Sequence, residues 1–412
     1  MLQEVTKKAK DLHDKEFKLP NQKPIQCLDE RDACFKCYKE HEKDPLNCAN
    51  VVQNFAECAR RVKQQVSLGD KRADVMGVVG SRSNCVKPSE SSGFLEAQFI
   101  GVCYGINGNN LPSPLNVVHL YTAHGITNMR IYDSDIGILG ALKGSNIGVI
   151  VDIPNGKLQA LNDPKEAANW VIVNVFNYFS QVKFKYINVG NEVSPVNAAT
   201  SQFVPFLLPA MQNVQQAITK FKLQNHVKVT TAIDTGLLAN TYPPSQAVFR
   251  DDVISFINPI IGFLKQNYSP LLANIYPYFA YISDPAHVAL PYALFTQRVP
   301  DPSGYYNLFD AMLDSIYYAT EKAGGDNVQI VVSESGWPSE GGVGASVENA
   351  ATYYRNLIRH VKSRAKTIHK PGNAINAYLF AMFDENEKPG AETEKHFGVF
   401  HPDKAQKYNI TF

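Results

Sequence analysis

The chain has 412 residues, of which 44% are hydrophobic, so it can form the core of one large domain or of two smaller ones. Its net charge of +1 gives no reason to expect nucleic acid or an anionic membrane as a partner. No apolar stretch has the length of a membrane span, the first thirty residues lack the apolar centre of a secretory signal peptide, and the C-terminal residues do not form a lipid-anchor signal. We therefore expect a chain without a membrane anchor or a nucleic-acid partner.

Composition divides the chain in two. Residues 1–98 contain 17 Lys or Arg, 15 Asp or Glu and six of the seven cysteines. The longer remainder, residues 99–412, contains 23 Lys or Arg, 24 Asp or Glu and one cysteine. The stretch "SRSNCVKPSESSGFLEAQ" between the two parts is rich in Ser with Gly and Pro, as linkers are. The predicted organisation is a charged region over 1–66 that includes an α-helical hairpin at 20–66, a linker over 67–98, and a large domain over 99–412.

Two pairs of cysteines with equal spacing characterise the small region. Nine residues separate Cys27 from Cys37, and nine separate Cys48 from Cys58, in two segments that favour helices. Two antiparallel helices joined at the intervening turn would place Cys27 opposite Cys58 and Cys37 opposite Cys48. Disulfides at these positions would stabilise a hairpin whose core is too small to do so alone.

This double spacing resembles the twin Cys-x9-Cys (CHCH) family of small proteins of the mitochondrial intermembrane space. The resemblance covers residues 20–66 and implies the two disulfides named above. Cys34 lies outside the pattern. Two alternatives stay open, namely a zinc site formed by Cys34, Cys37, Cys48 and Cys58, and reduced cysteines on packed helices.

The large region alternates β-rich runs with helical stretches. In chain order the runs are "FIGVCYG", "NMRIYD", "IGVIVDIP", "KYINVGNEV", "VKVTTAID", "ANIYPYF", "QIVVSESG" and "INAYLFAMF". Most lack the polar–apolar alternation of a half-exposed sheet, which favours parallel strands buried on both faces. Eight such units fit an α/β fold of the (β/α)8 TIM-barrel class better than a doubly wound open sheet, since no G-x-G-x-x-G follows the first run.

Two carboxylates lie at strand ends on opposite sides of the expected barrel. Glu192 ends the fourth run and Glu334 ends the seventh, so both should reach the mouth at the carboxyl ends of the strands. Paired carboxylates are the chemistry of glycoside hydrolysis, in which one protonates the leaving oxygen while the other attacks or stabilises the sugar carbon. Asn191 could bind a sugar hydroxyl, and Trp337 could offer a flat apolar face to a pyranose ring. The alternative is that both glutamates are surface charges in loops.

The large region also resembles a known family, through several specific motifs. The segments "VGNEVSP", "VVSESGWPS", "NIYPYF", "NLFD" and "FAMFDENEKPG…EKHFG" are similar to plant glycoside hydrolase family 17, the endo-β-1,3-glucanases, over residues 99–412. The resemblance implies a (β/α)8 barrel and a retaining mechanism with Glu192 as the acid/base and Glu334 as the nucleophile. It also implies carboxyl groups about 5–5.5 Å apart and a covalent glycosyl intermediate.

The same resemblance implies seven substrate-binding positions: Tyr132, Asn191, Tyr276, Trp337, Glu385, Lys388 and Glu394. Lys388 would favour the ionised form of Glu334, although Glu385, Lys388 and Glu394 could also be a solvated ion-pair network. Two departures from the family pattern, Ser134-Asp135 after "IYD" and Glu387 in "NEK", could alter substrate contacts.

The two resemblances imply different cellular locations. Family 17 enzymes act in the apoplast or vacuole, whereas this chain has no recognisable signal peptide and its hairpin suggests the mitochondrial intermembrane space. Either an incorrectly fused gene model or a rare chimeric gene would explain the combination. One continuous native transcript that spans residues 60–110 would refute the first explanation. Sequons at Asn267 and Asn409 have meaning only for a secreted chain.

The leading functional hypothesis is a retaining endo-β-1,3-glucanase that acts on β-glucan as a monomer, without a cofactor or a metal. The alternatives are a mixed-linkage β-1,3-1,4-glucanase, a non-catalytic glucan-binding barrel, and a mitochondrial scaffold whose hairpin carries the function. The sequence leaves open whether the physiological role is defence or wall remodelling.

Overall fold

The computed structural model describes residues 98–363 and 366–412, together with residues 33, 36, 37 and 54. The chain divides into two units, Met1–Ser92 and Gly93–Phe412, and the second contains nearly all described residues. The predicted hairpin over 20–66 and linker over 67–98 therefore lie almost wholly outside the described residues. Cys37 is described and is disulfide-bonded. Because Cys27, Cys48 and Cys58 are not described, the two cysteine pairs and the domain bounds stay predictions.

Eight parallel strands close into a barrel, which confirms the predicted fold class. The strands are β1 (Ile100–Tyr104), β2 (Asn128–Ile131), β3 (Gly148–Ile153), β4 (Lys183–Asn191), β5 (Lys228–Ile233), β8 (Leu271–Asn274), β9 (Ile330–Ser335) and β10 (Ala377–Leu379). They follow one another around the barrel in this order, and β10 pairs with β1 to close it. The two short strands β6 (Leu238–Ala239) and β7 (Val248–Phe249) form a separate antiparallel pair.

Helices connect the strands. They are α1 (Pro114–Ala123), α2 (Ile136–Ala141), α3 (Pro164–Asn174), α4 (Val204–Lys220), α5 (Ile254–Asn267), α6 (Pro277–Ser283), α7 (Leu290–Ala293), α8 (Leu308–Lys322) and α9 (Val347–Lys362). In α9 the buried residues recur every three or four positions, which places one apolar face against the barrel. The sequence marks the starts of several helices, since side chains such as Asp135 and Asn307 accept hydrogen bonds from backbone N–H groups of the first turn.

The barrel interior is filled by side chains that seven different strands contribute. Each of β1, β3, β4, β5, β8, β9 and β10 places one buried residue in the central cluster: Cys103, Ile150, Tyr186, Ala232, Leu272, Val331 and Tyr378. Inward side chains from successive strands form such layers in closed parallel barrels. The interior is therefore a packed core, and an open cavity can form only above it, where the strands end.

The structure differs from the sequence prediction in two places that affect the site. The sixth barrel strand ends at Asn274, and Tyr276 instead precedes the first turn of α6. After β10 the chain forms no further α-helix within residues 380–412, and a short 3-10 turn, Glu392–Lys395, follows. Pro277 explains the first difference, because proline fits the first turn of a helix and cannot donate a hydrogen bond to a neighbouring strand.

Candidate active site

A cavity of about 890 Å³ lies at the carboxyl ends of the barrel strands and contains both predicted catalytic glutamates. Glu192 directly follows β4, and Glu334 is the fifth residue of β9. Aromatic side chains form part of the wall, and polar groups from β1, β2, β5 and β10 complete it. The cavity therefore brings together residues that are up to 293 positions apart in the sequence, from Tyr104 to Phe397.

Local backbone geometry directs Glu192 into this cavity. The register between β4 and β5 shifts between Asn188 and Asn191, and Glu192 has a positive φ of 52°. Such conformations are uncommon for residues other than glycine and persist where surrounding contacts hold them. Here the Glu192 N–H donates to the Ala232 carbonyl at 2.9 Å, and the Asn274 Nδ2 donates to the Glu192 Oε1 at 2.8 Å.

The environment of Glu192 suits a proton donor. Burial raises the pKa of Glu192 and the negative charge of Glu334 raises it further, from an ordinary 4.5 to about 7, although the hydrogen bond from Asn274 opposes this rise. A carboxyl group with this pKa is protonated in mildly acidic solution. It can then donate its proton to an oxygen atom in the cavity.

Glu334 is held by three hydrogen-bond donors and is almost fully buried. Its Oε1 accepts from the Arg130 Nη1 at 2.9 Å and from the Tyr132 hydroxyl at 2.8 Å, and its Oε2 accepts from the Tyr276 hydroxyl at 2.5 Å. Arg130 lies in β2, Tyr132 directly follows that strand, and Tyr276 precedes α6. The carboxylate therefore has one fixed orientation, as a nucleophile that must attack along a defined line requires.

Arg130 connects the parts of the site. It is completely buried in β2 and contacts Asp152 at 2.7 Å, Asn191 at 2.8 Å and Asn274 at 3.1 Å, in addition to Glu334. Burial would lower the pKa of Arg130, but the carboxylates of Asp152 and Glu334 raise it, so the guanidinium stays charged. Its contacts bring the strand ends of β3, β4, β8 and β9 into one network.

Three predicted substrate-binding residues lie in this network. The hydroxyls of Tyr132 and Tyr276 bind Glu334, and the Asn191 Oδ1 accepts from both Arg130 and Asn274. Both side-chain hydrogen bonds of Asn191 use Oδ1, and its Nδ2 has no acceptor among the described residues, so it can donate to a ligand. All three residues line the cavity.

The other three predicted polar residues line the cavity beyond Glu334. Glu385 is buried and accepts a hydrogen bond from the Asn107 N–H at 2.8 Å, and burial raises its pKa. Lys388 pairs with Glu394 at 3.1 Å, and its Nζ lies 4.1 Å from the centre of the Phe380 ring. Among the described residues, Arg130 is the cation that directly contacts Glu334, and the role of Lys388 beside the nucleophile stays a prediction.

Trp337 does not lie in the cavity, and the prediction that its ring contacts a sugar is wrong. Its side chain is 0% exposed and packs against Tyr278, Tyr281 and Tyr353, while its Nε1 donates to the Gly344 carbonyl at 2.9 Å. The strand continues to Ser335, and the chain then turns into the packed layer behind the barrel. Phe279 is the exposed aromatic in the cavity wall, at 39%.

Sequence analysis missed Arg130 and Asn274, and it gave no role to Asp152. Each had a signal, since a charged or amide side chain interrupts an apolar run in "NMRIYD", "ANIYPYF" and "IGVIVDIP". A buried strand can hold such a group only if it finds partners.

Within the described residues no cluster of three or more His, Cys, Asp or Glu side chains could hold a metal ion.

The family model described as "Glycosyl hydrolases family 17" matches residues 100–412. The chain belongs to this family. A glucan endo-1,3-beta-glucosidase of Nicotiana tabacum, acidic isoform GI9, is 60% identical over 316 residues, which are 77% of this chain and 92% of the relative. A glucan endo-1,3-beta-glucosidase of Vitis vinifera is 59% identical over 321 residues, again 77% of this chain and 92% of the relative.

Two solved structures are similar to this chain. One is CJP38, a beta-1,3-glucanase and allergen of Cryptomeria japonica pollen, with a TM-score of 0.74 and 44% identity over 76% of this chain and 99% of that one. The other belongs to a pair described as two plant beta-glucan endohydrolases with distinct substrate specificities, with a TM-score of 0.71 and 41% identity over 76% of this chain and all of that one. These matches cover the part of the chain that forms the barrel.

Proposed function

We propose that this chain hydrolyses internal β-1,3-glucosidic linkages of β-glucan with retention of configuration, with Glu192 as the acid/base and Glu334 as the nucleophile. The observation that carries the proposal is the placement of these two glutamates in one cavity, where a single hydrogen-bond network holds both. Membership of family 17 and the names of its relatives supply the substrate class.

The two glutamates have different environments, and the difference matches different roles. The raised pKa of Glu192, about 7, keeps a proton available for the glycosidic oxygen. Glu334 carries hydrogen bonds from Arg130, Tyr132 and Tyr276, which orient it toward the sugar. A retaining glycosidase needs one carboxyl group of each kind.

In the first step, a Glu334 oxygen forms a bond to the anomeric carbon as the bond from that carbon to the glycosidic oxygen breaks. Glu192 donates its proton to this oxygen, and the leaving glucan departs as an alcohol. In the second step, Glu192 removes a proton from water, the water oxygen bonds to the anomeric carbon, and the Glu334 carboxylate is released. The loss of the Glu334 charge in the covalent intermediate lowers the pKa of Glu192, which then suits its role as a base.

Other groups in the cavity can bind the sugar. The free Nδ2 of Asn191 can donate to a hydroxyl beside the anomeric carbon, and the exposed face of Phe279 can pack against a pyranose ring. Glu385, Lys388 and Glu394 offer acceptors and a donor on the far side of Glu334. We infer these sugar-binding roles from the positions of the side chains in the cavity and from their hydrogen-bonding groups.

The test uses the full chain with laminarin as the β-1,3-glucan. The wild type should release oligosaccharides whose new reducing ends are initially in the β configuration, which proton NMR detects. Glu334→Ala should lose activity by several orders of magnitude. Glu192→Gln should lose activity on laminarin but retain formation of the glycosyl enzyme from an aryl β-glycoside, whose leaving group needs no proton. Normal laminarin hydrolysis by Glu192→Gln would contradict the assignment of roles.

A mixed-linkage β-1,3-1,4-glucanase is the second candidate. The solved structure at 41% identity belongs to a pair of plant beta-glucan endohydrolases with distinct substrate specificities, so likeness of the barrel alone does not fix the linkage. Parallel digestion of laminarin and lichenan distinguishes the two activities. Binding of either polymer without release of reducing ends would instead indicate a non-catalytic barrel.

The cellular location and the oligomeric state remain predictions, namely the apoplast or vacuole and a monomer. None of the helices in the described part of the chain combines the length and the apolar sequence needed to cross a bilayer. Fractionation of plant tissue with an antibody against residues 99–412 would test the location, with the mitochondrial intermembrane space as the alternative.

A further inference from the structure

A third acidic residue lies beside Glu192 in the cavity. Asp234 directly follows β5, which neighbours β4 in the barrel, and both Asp234 and Thr235 line the cavity. The hydrogen bond from the Glu192 N–H to the Ala232 carbonyl ties the two strand ends together at this point. Asp234 therefore has a defined place relative to the acid/base.

The order of the strands gives the neighbours of these acidic groups, since β5 adjoins β4, which precedes Glu192, and β10 adjoins β9, which contains Glu334. After burial and Glu334, the charge of Asp234 also raises the pKa of Glu192. At Glu385, burial raises the pKa most, and the charges of Glu334 and Glu394 raise it further. Asp234 thus lies on the side of Glu192, and Glu385 lies on the side of Glu334.

This order identifies the two sides of the cavity by their chemistry. The scissile bond joins the carbon that Glu334 attacks to the oxygen that Glu192 protonates. The leaving part of the substrate is attached to that oxygen, so it extends past Glu192, toward Asp234. The part that becomes bound to Glu334 extends toward Glu385 and Lys388.

The Asp234 carboxylate has capacity to bind a ligand. Its Oδ1 accepts from the Gly236 N–H at 2.6 Å, which holds the side chain at the start of a short 3-10 turn. Its Oδ2 has no hydrogen-bond donor within residues 98–363 and 366–412. Burial raises the pKa of Asp234, so this oxygen is partly removed from water and would gain from a donor.

We propose that Asp234 binds a hydroxyl group of the glucosyl unit on the leaving-group side, through the carboxylate oxygen that Gly236 does not use. The inference rests on the proposed function and adds a substrate-binding residue to it. Since the same side of the cavity receives the acceptor in the reverse of the first step, Asp234 also binds an incoming sugar acceptor.

The test compares two substrates in Asp234→Ser and in the wild type. Serine can still accept the Gly236 N–H, but it lacks the charge and the second oxygen. One substrate is a laminari-oligosaccharide, which places glucosyl units on both sides of the scissile bond. The other is an aryl β-glycoside of laminaritriose, which places no sugar on the leaving-group side.

We expect kcat/KM for the oligosaccharide to fall about 10- to 100-fold, as for the loss of one hydrogen bond to a charged group, and kcat/KM for the aryl glycoside to change less than about twofold. Asp251→Ser, which makes the same substitution at an exposed turn residue outside the cavity, is the matched control and should leave both values unchanged. Equal changes on both substrates, or no change on either, would overturn the proposal.

A second measurement separates binding from any effect on the proton of Glu192. The aryl glycoside is the donor, and laminaribiose competes with water as the acceptor. Both acceptors need Glu192 as the base, so a change in the proton affinity of Glu192 affects transfer and hydrolysis equally. The ratio of transfer to hydrolysis is therefore independent of that proton affinity. This ratio should fall at least about tenfold in Asp234→Ser, and an unchanged ratio would refute the binding role. A wild type that turned over neither substrate would instead refute the proposed function.

Discussion

The pH dependence of hydrolysis tests the environment of Glu192. Burial and the charge of Glu334 raise the pKa of Glu192 to about 7, and the first step needs this group protonated. At pH 5 nearly every molecule has the proton, at pH 7 about half do, and at pH 8 about one in ten does. We therefore expect kcat/KM on laminarin to fall about fivefold from pH 7 to pH 8 and about tenfold for each further pH unit.

Glu334→Gln separates the two causes of the raised pKa of Glu192, which are burial and the charge of Glu334. The substitution keeps the shape of the Glu334 side chain and removes its charge. The pKa of Glu192 should then fall but remain above 4.5, because burial is the larger cause and is unchanged. Carbon-13 NMR of the labelled glutamate carboxyls as a function of pH measures it, with Glu192→Gln identifying the signal. The reasoning fails if Glu192 titrates near 4.5 in the wild type, or if its titration does not move when Glu334 is neutralised.

Three further predictions concern stability and binding. Because Glu192 has a pKa of 4.5 when exposed and about 7 when folded, it destabilises the folded chain as pH rises between these values. Glu192→Gln should therefore raise the free energy of unfolding in urea by up to about 3 kcal/mol at pH 8 and leave it unchanged at pH 4; an equal gain at both would contradict the linkage. Asp152→Ala leaves the buried Arg130 without its shortest ion pair, so we expect the free energy of unfolding to fall by about 3–5 kcal/mol in the same assay. A fall under about 1 kcal/mol would show that Glu334 alone compensates the charge of Arg130. Trp337→Phe should lower the unfolding temperature without changing KM, and Phe279→Ala should raise KM; the reverse pattern would restore Trp337 to the sugar site.

The sequence by itself determined the class of the fold and which two glutamates lie together in its cavity. Eight apolar runs alternating with helical stretches have few compact solutions, because parallel strands need helical crossovers and both faces covered. A carboxylate at the end of the fourth run and one in the seventh must then meet at the same mouth, whatever the remaining details. Both inferences depend on local pattern and chain order, which a sequence contains directly.

Tertiary structure alone decided which groups surround these glutamates. Arg130 lies more than 200 residues from Glu334 in the chain, and they meet because β2 and β9 place their side chains at the same level of the closed barrel. Trp337 lies only three residues beyond Glu334, yet it turns away into a layer of tyrosines. Side-chain neighbours depend on barrel closure and strand register, which arise from contacts between distant segments. Nearness in sequence therefore predicted Trp337 wrongly and gave no indication of Arg130.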